Sequence, residues 1–254
     1  MRWLIAIALL VAPPAGALTP GTLATIDVTA KPVSSLPTGV VLRDEQGDAI
    51  TLGEALGERA AVVVLGYYGC SNLCSLVLQG VRGGLDAAGL HAGRDVDVVV
   101  ISIAPQETPA MARAKRRDVL GNALGPREAA GWHFLTAGQR SIDAVTHALG
   151  YRYAWDAAAA QFAHPAGITI VDAQGRIHAT LPGVSYAPAD LRDQLSSAAG
   201  AGPRTHAPWL LCFALDPQTG RHTPAVLLAV RLVALAALCA LLGYVALAFA
   251  RRSP

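Results

Sequence analysis

The sequence predicts an α/β fold, a mostly parallel sheet flanked by helices, carried between two apolar chain ends. The prediction rests on continuous apolar runs of strand length, on helical stripes that follow them, and on a turn-bracketed strand pair late in the body. The chain has 254 residues, 53% of them hydrophobic and only 15% charged. That charge content is below the roughly 25% of an ordinary soluble domain, so part of the chain belongs in lipid. Abundant apolar residues, with glycine lacking a three-residue period, exclude a disordered or collagen-like chain. Formal net charge is +2, but Arg2, Arg231, Arg251 and Arg252 lie at the apolar ends, leaving 16 basic against 18 acidic residues. So balanced a body has no electrostatic footprint for nucleic acid.

Val40–Leu42 and Ala49–Leu52 flank Gln46-Gly47-Asp48 as a small hairpin. Ala61–Tyr68 is a continuous apolar run suited to a strand buried on both faces. Cys74, Val77, Leu78, Val81 and Leu85 follow at helical spacing. Val96–Ile103 is a second buried strand, 107–124 a helix, and Trp132–Thr136 a third strand. Ile142, Val145 and Leu149 mark another helix stripe. Gly167–Val171 and Arg176–Thr180 bracket Asp172–Gly175 as a hairpin, and Leu191 and Leu195 mark a last helix with Pro188 in its first turn. This order fits a thioredoxin-like sheet, with one antiparallel edge and a helix opening directly after the first central strand.

The two ends decide the compartment. Residues 1–17 read as a secretory signal: Arg2, the apolar Leu4–Val11, then Ala15-Gly16-Ala17 as a cleavage site. The apolar run is too short to cross a bilayer, so an uncleaved anchor is the weaker reading. Leu232–Ala250 differs in kind, with 19 residues free of charge. As a helix it extends roughly 28 Å, enough to cross a membrane. Arg251 and Arg252 then stay cytoplasmic by the positive-inside rule. The expected plan is signal 1–17, flexible lead-in 18–37, thioredoxin-like domain 38–199, linker 200–225, transmembrane helix 226–250 and cytoplasmic tail 251–254. The body then faces outward from a bacterial plasma membrane on a single C-terminal span.

The chemistry concentrates in Gly69-Cys70-Ser71-Asn72-Leu73-Cys74. Cysteines four apart share one face of a helix, here at its first turn and just beyond a buried strand. A helix N-terminus favours thiolate over thiol. Paired thiolates serve reversible disulfide chemistry or soft ligation of a metal such as Cu(I). A structural disulfide is the blander use, but so short a loop removes little chain entropy. His164, in Gln161-Phe162-Ala163-His164-Pro165, sits where such a fold returns near that helix's start. Two sulfurs and one imidazole suit copper better than calcium or magnesium. His91, His133, His147, His178, His206 and His222 have no such context.

Together Tyr67-Tyr68-Gly69-Cys70-x-x-x-Cys74, His164 and Val171-Asp172-x-x-Gly175 resemble the Sco/SenC family. These are thioredoxin-fold copper chaperones for assembly of the copper A centre of cytochrome c oxidase. The resemblance implies that Cys70, Cys74 and His164 are copper ligands, and that the cysteines also cycle between dithiol and disulfide. It implies an apo-oxidase subunit carrying the copper A site as partner; the apolar ends add the membrane, and a monomer is expected. Three features depart from the family pattern. Ser71 and Ser75 replace a proline after each cysteine, and Asn72 replaces an acid between them. Pro165 directly follows the histidine and can hold that bond cis. The anchor is C-terminal where many relatives carry it N-terminally.

A rival reading makes Cys70 and Cys74 the catalytic dithiol of a thiol–disulfide oxidoreductase, without need of His164. A peroxiredoxin-like peroxidase is a third, lacking an evident activating arginine. Arg113, Lys115, Arg116 and Arg117 form a basic cluster that reads as a solvated helix face before a docking site for an acidic partner. Cys212 reads as a buried thiol before a third redox or copper thiol, and Cys239 as a small apolar residue. No G-x-S-x-G, P-loop or HExxH pattern is present.

Overall fold

A computed structural model of the chain describes residues 25–28, 35–70, 73–121, 124–199 and 210–211. The hairpin expected near the start forms between β1 (Val41–Arg43) and β2 (Ala49–Thr51). Its turn is tied by Asp44, whose Oδ1 accepts the amides of Gln46, Gly47 and Asp48. β2 runs directly into a short helix, α1 (Leu52–Leu56), absent from the sequence reading. Thr51 and Glu54 cap it reciprocally, Thr51 Oγ1 accepting the Glu54 amide and Glu54 Oε2 the Thr51 amide.

β3 (Ala61–Gly66) and β4 (Asp97–Ser102) are buried at every residue, which is why β3 is an unbroken apolar run and β4 is apolar from Val98 to Ile101 between buried Asp97 and Ser102. Between them α2 (Leu73–Ala87) presents Val77, Leu78, Val81 and Leu85 to the sheet. Gly80 on α2 is required by close approach, because a Cβ there would stand 2.0 Å from the carbonyl oxygen of Val184. α3 (Pro109–Leu120) is shorter than the expected 107–124. Thr108 caps its start, Pro109 occupies its first position and Gly121 ends it. A short helix, α4 (Pro126–Ala130), then leads to β5 (Trp132–Leu135) and to α5 (Gln139–Leu149).

The next segment was not foreseen. After α5 the chain makes a second hairpin, β6 (Ala154–Asp156) with β7 (Gln161–Ala163). Only then come β8 (Pro165–Val171), β9 (Ile177–Pro182), α6 (Pro188–Ala198) and β10 (Leu210–Leu211). The sheet order is β10-β8-β3-β4-β5, with β9 also paired to β8. β3, β4 and β5 pair parallel, whereas β8 is antiparallel to β3, β9 and β10. The sheet is therefore mixed: the expectation was a mostly parallel sheet with one antiparallel edge, and antiparallel pairing extends beyond that edge hairpin to β8 against β3. The physical reason is where α5 leaves the chain: the Tyr151 hydroxyl already reaches Leu65 O at 3.3 Å, and the β6–β7 hairpin pairs Ala154 with Ala163 and so returns the chain to the same place, with no crossover to the edge where β3 begins.

Val62, Val64, Val98, Val100, Phe134, Ile168 and Ile170 form one core with residues of α2, α3 and α6. The alternate residues Val63, Leu65, Val99 and Ile101 point to the other face, as strand geometry requires, and are buried too. Parts of the lead-in lie against the domain. Ile26, Val28 and Leu36 are buried, Val28 bridges to Tyr151, and the Leu36 amide donates to Gly175 O at 2.8 Å. Of the expected linker 200–225 only Leu210–Leu211 is described. The signal 1–17, the expected span 226–250 and the tail 251–254 lie outside the described residues. Among the described residues no helix is long and apolar enough to cross a membrane.

Candidate metal centre

The antiparallel return of β8 builds the site. Val63 of β3 is paired with Thr169 of β8, so the first residues of β8 lie beside the last of β3. A parallel β8 would have placed its first residue at the far edge of the sheet. The loop leaving β3 carries Cys70, the first turn of α2 carries Cys74, and His164 immediately precedes β8. All three are buried, and their candidate ligand atoms lie within 4.8 Å of one another. His164 Nε2 stands 3.3 Å from Cys74 Sγ. Gly66 leaves the room: a Cβ there would meet Cys74 Sγ at 3.4 Å and His164 Cε1 at 3.9 Å.

The imidazole is held from behind. Its Nδ1 lies 2.8 Å from Tyr151 Oη and 2.9 Å from Pro165 O. The Tyr151 hydroxyl in turn reaches Pro165 O at 2.9 Å and Leu65 O at 3.3 Å. A carbonyl oxygen can only accept, so this network favours the proton on Nδ1 and leaves the Nε2 lone pair toward Cys74. In the metal-free thiol state the Cys74 S–H then donates to Nε2, and a bound metal would displace that proton. Tyr67 packs edge-on to His164 at 5.7 Å between ring centroids, and Phe162 packs on Tyr67 at 5.5 Å. Exposed Trp155 covers Phe162 at 4.9 Å, so the unforeseen hairpin walls the site with rings. No peptide bond among the described residues is cis, so the His164–Pro165 bond, which the sequence leaves open to either form, is trans. Pro165 opens β8, a strand position that tolerates its missing N–H.

The cysteine loop has its own clamp. Buried Glu107 accepts the Tyr68 amide at 2.8 Å, the Gly69 amide at 2.6 Å and the Ser102 hydroxyl at 2.6 Å. The Cys70 amide closes the turn onto Tyr67 O at 3.2 Å. Burial, with the Glu107 and Glu45 carboxylates, pushes the Tyr68 phenol well above its ordinary pKa. It remains a neutral donor, bonded to Leu135 O at 2.7 Å. Two thiols and an imidazole, with no carboxylate in the cluster among the described residues, form a soft donor set that fits Cu(I) and not a hard oxygen-seeking cation. A cavity of about 20 Å³, lined in part by Gly66, Cys74, His164 and Lys115, leaves room for one small occupant.

The other candidates scatter. His91 lies 3.6 Å from Glu128, His178 lies 3.2 Å from Asp172, His133 is on β5 and His147 is in the last turn of α5. His206, His222, Cys212 and Cys239 lie outside the described residues. The basic cluster of α3 is mostly engaged. Arg113 donates to Glu45 O at 2.8 Å, Arg116 meets Glu45 Oε1 at 3.1 Å, and Lys115 is buried against Ser75. Glu107 and Tyr151 were missed because nothing local marks them. Glu107 falls at the start of the expected helix 107–124, where an acid reads as an ordinary first-turn residue, and a tyrosine after a helix-ending glycine reads as packing.

The sequence profile of the SCO1/SenC family matches residues 38–200. No curated protein sequence matches the chain. The fold is similar to that of a protein from Aquifex aeolicus VF5, at 19% identity and TM-score 0.59, covering 66% of this chain and 95% of that one. It is also similar to a SCO1/SenC family lipoprotein from Bacillus anthracis str. Ames, at 16% identity and TM-score 0.55, covering 67% and 99%. Arabidopsis thaliana ScoI, solved with copper bound, is similar at 17% identity and TM-score 0.51, covering 63% and 94%. These likenesses show a shared thioredoxin-like α/β fold.

Proposed function

This chain belongs to the SCO1/SenC family, and from that premise we propose that it is a membrane-tethered copper chaperone. It binds copper through Cys70, Cys74 and His164 and passes it to the apo subunit of cytochrome c oxidase that carries the copper A site. The observation that carries this reading is the convergence of two buried sulfurs and one imidazole within 4.8 Å, at the edge where β3 ends and β8 begins. The copper held by the related Arabidopsis thaliana ScoI supports it. Transfer proceeds by ligand exchange. An incoming thiolate of the acceptor displaces one donor at a time, so copper is never released to water and no electron need move. Tethering by the Leu232–Ala250 segment, outside a bacterial plasma membrane, confines donor and acceptor to one surface and raises their effective concentration.

The proximity of the two sulfurs also favours a second reading, a thiol–disulfide reductase that prepares the acceptor. There Cys70 and Cys74 lose two electrons and two protons to become a disulfide while the acceptor's disulfide becomes a dithiol. His164 separates the two. Metal analysis of the full chain in detergent should find a single copper per chain, lost in Cys70→Ser, Cys74→Ser and His164→Ala. Unchanged copper content in all three variants refutes the chaperone, and rescue of oxidase assembly by His164→Ala favours the reductase.

A further inference from the structure

Lys115 has a setting that its neighbours on α3 do not share. The buried stripe of this helix runs through Ala112, Lys115 and Val119, so helical spacing carries an ammonium where an apolar side chain would normally sit. Lys115 is only 9% exposed, and its Nζ donates to Ser75 Oγ at 3.2 Å, beside the candidate ligand Cys74. Among the described residues it pairs with no carboxylate, whereas Arg116 of the same helix meets Glu45 Oε1 and Arg113 donates to the Glu45 backbone carbonyl. Its side chain lines the small cavity that Gly66, Tyr67, Cys74 and His164 also line. A buried cation without an anion is costly, and the Cys74 thiol, which lines that cavity and belongs to the same cluster as Cys70, is the group that can supply negative charge there.

Charge arithmetic then distinguishes the states of the site. Two thiolates and a neutral imidazole around Cu(I) leave one net negative charge. The same ligands around Cu(II) leave none, and neither does a disulfide. We infer that Lys115 is the counter-charge of the metal centre and makes it selective for monovalent over divalent copper. The inference rests on the copper reading above and adds the oxidation state of the cargo. Attraction between ammonium and site is felt by the anionic cuprous complex, so Lys115 stabilises that state and not the neutral ones. It acts through the field at the metal and not as a ligand.

The test measures both copper affinities on the full chain in detergent, Cu(I) under reductant and Cu(II) without it, for wild type and Lys115→Met. Methionine fills the same volume without charge. Cu(I) affinity should fall about tenfold, the scale of a group just outside the ligands, with Cu(II) affinity unchanged. The bound-copper midpoint potential should fall by about 59 mV, that tenfold change converted for one electron. Lys115→Arg, which keeps the charge, should retain the cuprous preference, and Lys115→Gln should lose it as methionine does. Equal loss for both ions in the two neutral variants, or no loss for either, assigns Lys115 to packing and overturns the inference. A wild-type chain that binds neither ion sinks the copper reading, a result distinct from either of those.

Discussion

Glu107→Gln tests whether the cysteine loop is pre-organised by a charge. In the native site both carboxylate oxygens are used: Oε1 accepts from Gly69 N at 2.6 Å, and Oε2 from Tyr68 N at 2.8 Å and Ser102 Oγ at 2.6 Å. Glutamine keeps the shape but has only one acceptor oxygen. Whichever way its amide is turned, one backbone N–H of the loop faces an NH₂ group. Ser102 can reverse its hydroxyl, but an amide cannot. Losing one hydrogen bond to a charged, buried acceptor costs about 1.5–3 kcal/mol. If that cost falls on closure of the loop, the binding-competent fraction drops and apparent copper affinity falls with it. The expected loss is roughly 10- to 100-fold. Competition of the variant against a chromophoric Cu(I) chelator reads this directly, with thermal melts of the metal-free protein alongside. A lower melting temperature with copper affinity untouched would refute the reasoning and make Glu107 a purely structural residue.

Tyr151→Phe removes the hydroxyl behind His164 but leaves Pro165 O at 2.9 Å from Nδ1, so copper affinity should fall only about tenfold, the low end for such a group. Loss of stability without any change in copper affinity would limit Tyr151 to the core. In Gly66→Val the added methyl groups extend beyond a Cβ position already 3.4 Å from Cys74 Sγ. Overpacking of about 1–3 kcal/mol should cut copper affinity roughly 10- to 100-fold while circular dichroism stays native, and full copper binding would show that the cavity is not the metal's place. Far from the site, burial pushes the Asp172 carboxyl up, but bonds from the Arg176 side chain and amide, His178 and the Gln174 amide more than offset this and hold it below the usual range. A lowered folded pKa means its stabilisation is complete above about pH 4, the unfolded value, and is lost as pH falls through the folded one. Melting temperature should therefore decline more steeply between about pH 5 and pH 2 in the wild type than in Asp172→Asn, and equal slopes would contradict the shift.

Much of the fold was legible because period and length are local properties. The runs at Ala61–Tyr68 and Val96–Ile103 could only be strands covered on both faces, and the stripe from Cys74 to Leu85 could only be a helix laid on them. The β6–β7 hairpin was not legible. Its turn runs through Ala157–Ala160, where glycine and asparagine signals are missing, and Ala160 takes a positive φ of 49° that no propensity predicts. Glu107 and Lys115 were out of reach as well: burial beneath the cysteine loop distinguishes the one and burial against Ser75 of α2 the other, and burial is not written locally.

The amino-acid order alone specified the donor types, two thiols four residues apart and an imidazole before a strand, because chemistry and spacing reside in the chain itself. It also specified the apolar ends. The tertiary structure decided that these donors meet, since only an antiparallel β8 brings His164 to the end of β3. It decided too which charges face them: Glu107 beneath the loop and Lys115 beside the cavity. Electrostatic environment depends on neighbours far apart along the chain, so it comes into existence only when the sheet has closed around them.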